Sequence, residues 1–486
     1  MAVNAQSIAA QLSALPLSMT IDGIAVAAAK QLDVINPSTA TVLSTAPDAS
    51  PAEIDLAVDA AARAYPAWSG LPMATRRTAI MALADALEAN RDELTLINSL
   101  ECGAPLKVAR SVDVAIRYLR TIAAFELPVE ILREDATQRI ELMRVSLGVV
   151  AAITPWNAPL TLAAAKIASA LLVGNTMVLK PSPFAPLATL RLGQLASEIF
   201  PAGVLNVVSG GAAAGESLTG HPDVAKVSFT GSVEVGKHIM SAASGGLKRL
   251  TLELGGNDAA IVLSDTDPVV AAAGIARIAF SNCGQFCMAI KRVYVERPVA
   301  EALCDALVRE VSAKRLGSAL DPGTDIGPVQ NEQQYLRLQA LLEDTKAAGG
   351  RFLLGGGIGE VSTGGGYYIS PAIVTGLDET AELVANEQFG PVLPVLVVDS
   401  AEEALARANA SRFGLGGSVW GADVARATAL ARQMQVGTAW VNQHGALDAA
   451  VPMNGCKESG LGIEYGIDGL KGYTAPRVVN ILKTTR

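Results

Sequence analysis

Aromatic side chains are scarce in this chain: Phe, Trp and Tyr make up 4% of its 486 residues, although half of all residues are apolar. A core so poor in large rings must be built from Ala, Val, Leu and Gly, which suits helices packed closely on a sheet in a layered α/β architecture. A basic excess is missing too. Lys and Arg number 38 against 47 Asp and Glu, giving a net charge of −9. No basic run offers itself to phosphates, so neither nucleic acid nor an anionic membrane surface is an expected partner. No apolar run reaches the ~18 residues of a membrane span, and MAVNAQSIAAQLSALPLSMT carries no Lys or Arg ahead of its apolar part. A cytoplasmic protein is expected. The five cysteines (Cys102, Cys283, Cys287, Cys304, Cys456) are odd in number and scattered, which speaks against a disulfide framework. The three histidines (His221, His238, His444) lie far in sequence from Cys283 and Cys287. A tetrahedral metal site would have to be gathered from remote groups, and no metal is expected.

What is present follows a rhythm. From Ser50 to about Glu126 apolar residues recur at helical spacing, with Ser50 as N-cap and Glu53 closing a capping box. QRIELMRVS alternates polar and apolar, then Leu147 to Ile153 is continuously apolar, predicting a strand outside the core that feeds a buried one. Strand-like and helix-like segments then alternate up to LTLELGG, as in a parallel sheet covered on both faces. A second α/β stretch begins near Asn257 and runs through RVYVERP, PVLPVLVVDS and TAWVNQ, while LLGGGIGEVSTGGGYY reads as a glycine-rich turn region.

Three polar residues stand out against this apolar ground. Cys287, in SNCGQFCMAIKRVYV, is either a buried inert thiol or a nucleophile held by the stretch after it. Glu253 closes an apolar strand ahead of Gly255 and Gly256, which would leave space beside its carboxylate and suit a general base. Asn157 stands between a buried strand and an apolar helix with Pro159 in its first turn; it is an ordinary N-cap or an amide aimed at an oxyanion.

INPST, PWN, LKPS, FTGSVEVG, LELGG, GQFC, NEQFGPV and GCKESGLGIEYG occur in this order over nearly the whole chain. Together they resemble the aldehyde dehydrogenase superfamily. The resemblance implies an α/β fold of two Rossmann-like parallel-sheet domains plus a small β oligomerisation element. The expected division is 1–123 with 147–253 for the cofactor, 254–457 for catalysis, and 124–146 with 458–486 for oligomerisation and the tail. A homodimer or homotetramer follows, since an exposed strand tends to pair with another chain. Cys287 then matches the nucleophile, Glu253 the deacylating base and Asn157 the oxyanion donor; Cys283 is a bystander. Lys166 matches a lysine near the active site, or is a helix cation snorkelling to solvent.

The same resemblance implies NAD as cofactor. Ile153, Thr154, Pro155 and Trp156 would line its site, with Lys180 and Ser182 at the adenosine ribose. Gly211 and Gly215 would form a turn near phosphate, and Phe229, Thr230, Gly231 and Ser232 the pyrophosphate contact. Leu254, Glu387 and Phe389 would surround the nicotinamide ribose and ring. Pro183 stands where many members carry a carboxylate, so NADP should be tolerated better than in those relatives. PMNG, Pro452 to Gly455, replaces a motif often written PFGG and alters the tunnel wall. Tunnel positions are Ala158, Leu162 and Ala165, with Phe286 and Met288 flanking Cys287 and with Leu447 and Met453 at the far wall. Small aliphatic walls point to a bulky hydrophobic aldehyde, aromatic, branched or long-chain, oxidised to its acid through a cysteine hemithioacetal and thioester. Rival readings are a CoA-acylating semialdehyde dehydrogenase, a cysteine esterase or thioesterase without redox function, and a non-catalytic scaffold.

Overall fold

The computed structural model describes residues 17–107, 109, 111–359 and 365–483. Most of the N-terminal stretch, the middle of the glycine-rich segment and the last residues of the tail lie outside the described residues. Ser50 caps the helix Pro51–Ser69: its hydroxyl accepts from Ala52 N at 3.2 Å while Glu53 accepts from Ser50 N at 2.8 Å, so the expected capping box forms. The helices Met73–Ala89, Arg91–Cys102 and Ser111–Ala123 follow it, as their apolar spacing requires.

The first sheet has five parallel strands in the spatial order Leu205–Val207, Thr176–Pro181, Val149–Thr154, Val224–Thr230, Arg249–Glu253. Counted along the chain this order is 3-2-1-4-5. The direction of winding therefore reverses between Val149–Thr154 and Val224–Thr230, opening a crevice at their C-terminal ends. Met19–Ile21 and Ile24–Val26 extend one edge, and Gly460–Leu461 adds antiparallel to the other. The Val149–Thr154 strand is apolar on both faces because helices cover both, and the apolar helix Pro159–Leu172 follows it directly.

The second sheet has six parallel strands, in the order Ala372–Thr375, Val392–Val398, Ile290–Glu296, Asp258–Val262, Gly416–Trp420, Thr438–Val441, with Arg351–Leu354 antiparallel at one edge. A third, antiparallel sheet joins Glu130–Glu134, Gln138–Ser146 and Thr474–Leu482; the last two pair residue for residue from Ser146↔Thr474 to Gln138↔Leu482. Among the described residues no helix is long and apolar enough to cross a membrane.

The linker Leu254–Asn257 passes directly from the last parallel strand of the first sheet into Asp258–Val262 of the second. Loops leaving C-terminal strand ends of one sheet thereby meet loops entering N-terminal strand ends of the other.

Candidate active site

At that meeting lies a cavity of about 270 Å³. The first sheet contributes Pro155, Trp156 and Asn157 after Val149–Thr154, Thr230 and Ser232 at the end of Val224–Thr230, and Glu253 at the end of Arg249–Glu253. The second contributes Cys287 and Met288 ahead of Ile290–Glu296, Glu387 and Phe389 ahead of Val392–Val398, and Leu415 ahead of Gly416–Trp420.

Cys287 is half-buried and free, and burial pushes its thiol up to about 12, with Lys291 pulling the other way. Cys283 is also free but sits in the core of the second sheet. Its backbone is left-handed, as are those of Asn282 and Gly284 on either side (φ 47°, 59° and 72° in chain order). Buried Gln285 braces this tight loop, donating to Asn282 O and Pro328 O while accepting from Gln330 N. The loop carries Cys283 inward and Cys287 to the cavity.

Asn157 is not the N-cap of the helix Pro159–Leu172; Ala158 holds that position without a side-chain bond. Asn157 Nδ2 donates to Gln285 O at 3.0 Å, which ties it to the Cys287 loop and leaves the second N–H of the amide. Glu253 is 3% exposed, and neither carboxylate oxygen has a hydrogen-bond partner. Burial, and then the neighbouring Glu464, raise its pKa well above the carboxylate range, with Lys166 opposing. An unpartnered carboxyl facing a cavity can accept a proton from a molecule that enters it.

Two expectations are corrected by the packing. Gly255 and Gly256 do not make room for Glu253: a Cβ on Gly255 would run into the Glu387 carboxylate, and one on Gly256 would lie 2.7 Å from Cys287 O. Lys166 does not snorkel. It is 1% exposed, pairs with Glu464 and donates to Ser228 Oγ at 2.9 Å, forming a buried polar cluster with Tyr473 behind Glu253. Glu464 and Tyr473 were missed as functional neighbours; Glu464 was already visible inside GCKESGLGIEYG.

On the crevice side, the hydroxyls of Thr154 and Thr230 are buried without partners. Ser232 caps the helix Val233–Ala243, accepting from Val235 N at 3.3 Å, so an N-terminus with its positive dipole end opens here. The Phe229 ring fills the space where a Gly231 Cβ would stand, and Leu254 does the same at Gly236. Glu387 Oε1 accepts from Gly256 N at 3.1 Å and lies 3.3 Å from Lys291 Nζ. Phe389 has φ 49° and meets Trp156 edge-on at 5.3 Å. Ile153 precedes Thr154 at the strand end. Lys180, Ser182, Pro183, Gly211 and Gly215 are outside the cavity. Lys180, 4% exposed, donates to Pro181 O at 3.0 Å, and burial lowers its pKa to about 8. Ser182 accepts from Phe184 N, and Gly211 N is taken by Asp48 Oδ1 at 3.0 Å. Gly215 faces the Lys180 side chain.

On the other side Ala158, Leu162, Phe286, Met288, Leu447 and Met453 line the cavity. Ala165 is buried in the helix packing and does not. The wall is less aliphatic than expected, because Tyr118 and Tyr465 join it as an edge-on pair 5.1 Å apart. Tyr118 comes from the helix Ser111–Ala123, which no motif marks, and Tyr465 from the IEYG stretch. An adjoining cavity of about 330 Å³ shares Tyr118, Phe286 and Leu447 and reaches the exposed Arg117.

The family model described as the aldehyde dehydrogenase family matches residues 25–479. A phenylacetaldehyde dehydrogenase of Pseudomonas fluorescens is 38% identical over 483 residues, covering 95% of this chain and 95% of that protein. An aldehyde dehydrogenase from Bacillus cereus superposes with a TM-score of 0.95 at 33% identity over 100% of both chains. Betaine aldehyde dehydrogenase from Staphylococcus aureus, solved in complex with NAD+, gives a TM-score of 0.95 at 31% identity over 99% of this chain and 98% of its own.

Proposed function

The chain belongs to the aldehyde dehydrogenase family and is an aldehyde dehydrogenase, and on that premise we propose that it oxidises a bulky hydrophobic aldehyde, aromatic before aliphatic, to the carboxylic acid with NAD+. The observation that carries the reading is one cavity lined by a half-buried thiol, an unpartnered carboxyl, a side-chain amide and a wall of apolar and aromatic side chains. NAD+ suits the crevice: the unpartnered Thr230 hydroxyl, the helix N-terminus at Ser232 and the Glu387 carboxylate are groups that phosphates and ribose hydroxyls can engage. When bound, it supplies the acceptor for the hydride of the oxidation step.

Cys287 attacks the aldehyde carbonyl once its proton has been taken, and Glu253, with its raised proton affinity, is the base within the same cavity. The free N–H of the Asn157 amide and the backbone N–H of Cys287 hold the oxyanion. After oxidation to the thioester, Glu253, having passed the thiol proton to solvent, takes a proton from water as the water attacks; the C–S bond breaks, the acid leaves and Cys287 is freed as the thiolate. Glu253 in this place favours water over CoA as acceptor. The Tyr118 and Tyr465 rings and Phe286 favour an aromatic substrate, in keeping with the Pseudomonas relative. Pro183 carries no charge to repel an extra phosphate, so NADP+ is tolerated better than in a carboxylate-bearing relative. We divide the chain into cofactor-binding, catalytic and oligomerisation parts as above, within a homodimer or homotetramer.

A panel of aldehydes with either cofactor, with and without CoA, tests this through NADH or NADPH absorbance. Each added buried methylene should raise kcat/KM by about fourfold, from ~0.8 kcal/mol each, with phenyl-bearing substrates highest and the free acid as product. A kcat/KM for acetaldehyde above those of the aromatic aldehydes overturns the substrate class, and an acyl-CoA product overturns the hydrolytic step.

A further inference from the structure

Lys291 is 1% exposed, on the strand that follows the Cys287 loop. Its ammonium has three N–H groups and three acceptors: Phe286 O at 2.8 Å, Cys287 O at 2.7 Å and Glu387 Oε1 at 3.3 Å. We propose that Lys291 positions the nucleophile, fixing the peptide that carries the Cys287 N–H and supplying the positive charge that supports the thiolate. This rests on the reading of Cys287 as the nucleophile.

The geometry is the main support. The peptide between Phe286 and Cys287 is planar and trans, so the Phe286 carbonyl and the Cys287 N–H point in opposite directions. Anchoring the carbonyl on Lys291 aims the N–H away from the lysine, and anchoring Cys287 O fixes the next peptide plane as well. The loop cannot turn its N–H without breaking two charge-assisted bonds. His444, 1% exposed, holds Met288 O at 3.0 Å, so three successive carbonyls are tied by two buried basic side chains.

Charge points the same way. The charged groups acting on the Cys287 thiol are the carboxylates of Glu387, Asp258 and Glu253, which disfavour a thiolate, and Lys291, which favours it. His444 lies 3.3 Å from Asp258 Oδ2. Lys291 is thus the cation set against three acids. Through Glu387 it also touches a residue of the proposed cofactor site, so one ammonium spans the nucleophile loop and the crevice.

Two variants separate charge from packing: Lys291→Gln keeps a donor without charge, and Lys291→Arg keeps the charge. Second-order rate constants for alkylation of the full-length protein by iodoacetamide, taken at about pH 7 to 9 and mapped to Cys287 by mass spectrometry, read the thiolate fraction. Lys291→Gln should be slower by about tenfold, equivalent to about one pH unit, and Lys291→Arg should stay within about threefold of wild type. In turnover, kcat should fall in Lys291→Gln with little change in the aldehyde KM. Wild-type alkylation in folded Lys291→Gln, or a folded Lys291→Arg slowed as much as Lys291→Gln, overturns the proposal. If Lys291→Gln does not fold, a folded Lys291→Arg slowed about tenfold overturns it by itself and a near-wild-type rate upholds it. Cys287→Ser is assayed alongside. Full activity in that variant would overturn the reading of Cys287, whatever Lys291 does.

Discussion

A buried carboxyl group with no hydrogen bond is costly to ionise, and Glu253 is such a group at the end of a strand. Its folded pKa is raised, so its basic form is lost as pH falls through a value above the ordinary carboxylate range. Deacylation should therefore weaken on acidification while an ordinary glutamate would still be ionised. Glu253→Gln should remove that acidic limb. It should also give a burst of NADH followed by slow turnover, with acyl adduct on Cys287 by mass spectrometry, because an amide accepts no proton from water. Cys287→Ala should abolish oxidation, whereas Cys283→Ala, whose thiol lies in the second core, should retain most of it. Equal loss in both would remove the distinction, and an unchanged pH profile in Glu253→Gln would take the base role from Glu253. Asn157, Glu253 and Cys287 stood out in the sequence as candidates, with alternatives that their neighbours left open, and their roles came from the ordered motifs that carry the family resemblance. Lys291 did not stand out, because a lysine in a strand gives no sign of which carbonyls it will reach.

At the scale of elements, the site depends on how closely the linker Leu254–Asn257 passes the Cys287 and Glu387 loops. Gly255 has no Cβ where Glu387 approaches, so Gly255→Ala must displace that carboxylate. The NAD+ KM should rise about tenfold or more, from a loss of roughly 1.4 kcal/mol or above, with smaller change in the aldehyde KM. Unchanged cofactor binding would separate Glu387 from the cofactor site. Element reading from sequence succeeded where periodicity was strong, as in the capped helix Pro51–Ser69 and the apolar strand Val149–Thr154. It passed over Gly416–Trp420, whose two glycines and serine carry little strand propensity. That strand is nonetheless interior to the second sheet, paired in parallel with Asp258–Val262 and Thr438–Val441, and Met434 and Trp440 pack where side chains on Gly417 and Gly416 would stand.

For the whole molecule, the small sheet leaves Ile131, Leu132, Val478, Ile481 and Leu482 exposed on its outer strands. A second copy covering them would remove apolar surface and unpaired strand edges from water. Light scattering should give a dimer or tetramer, and Val478→Asp with Leu482→Asp should shift it toward monomer. A monomeric wild type would overturn the assembly. The sequence by itself determined the layered α/β class, because periodicity is a property of neighbouring residues, and the order of the motifs, which carried the family resemblance and with it the candidate thiol, carboxyl and amide. Tertiary structure alone decided that Cys287 faces the cavity and Cys283 the core, that Tyr118 and Tyr465 share its wall, that Lys166 is buried against Glu464, and that Lys291 holds the Cys287 loop. The tyrosine pair and the Lys166–Glu464 contact join groups from distant parts of the chain, while the Cys287 and Lys291 placements depend on the path of one tight loop, and only packing sets either.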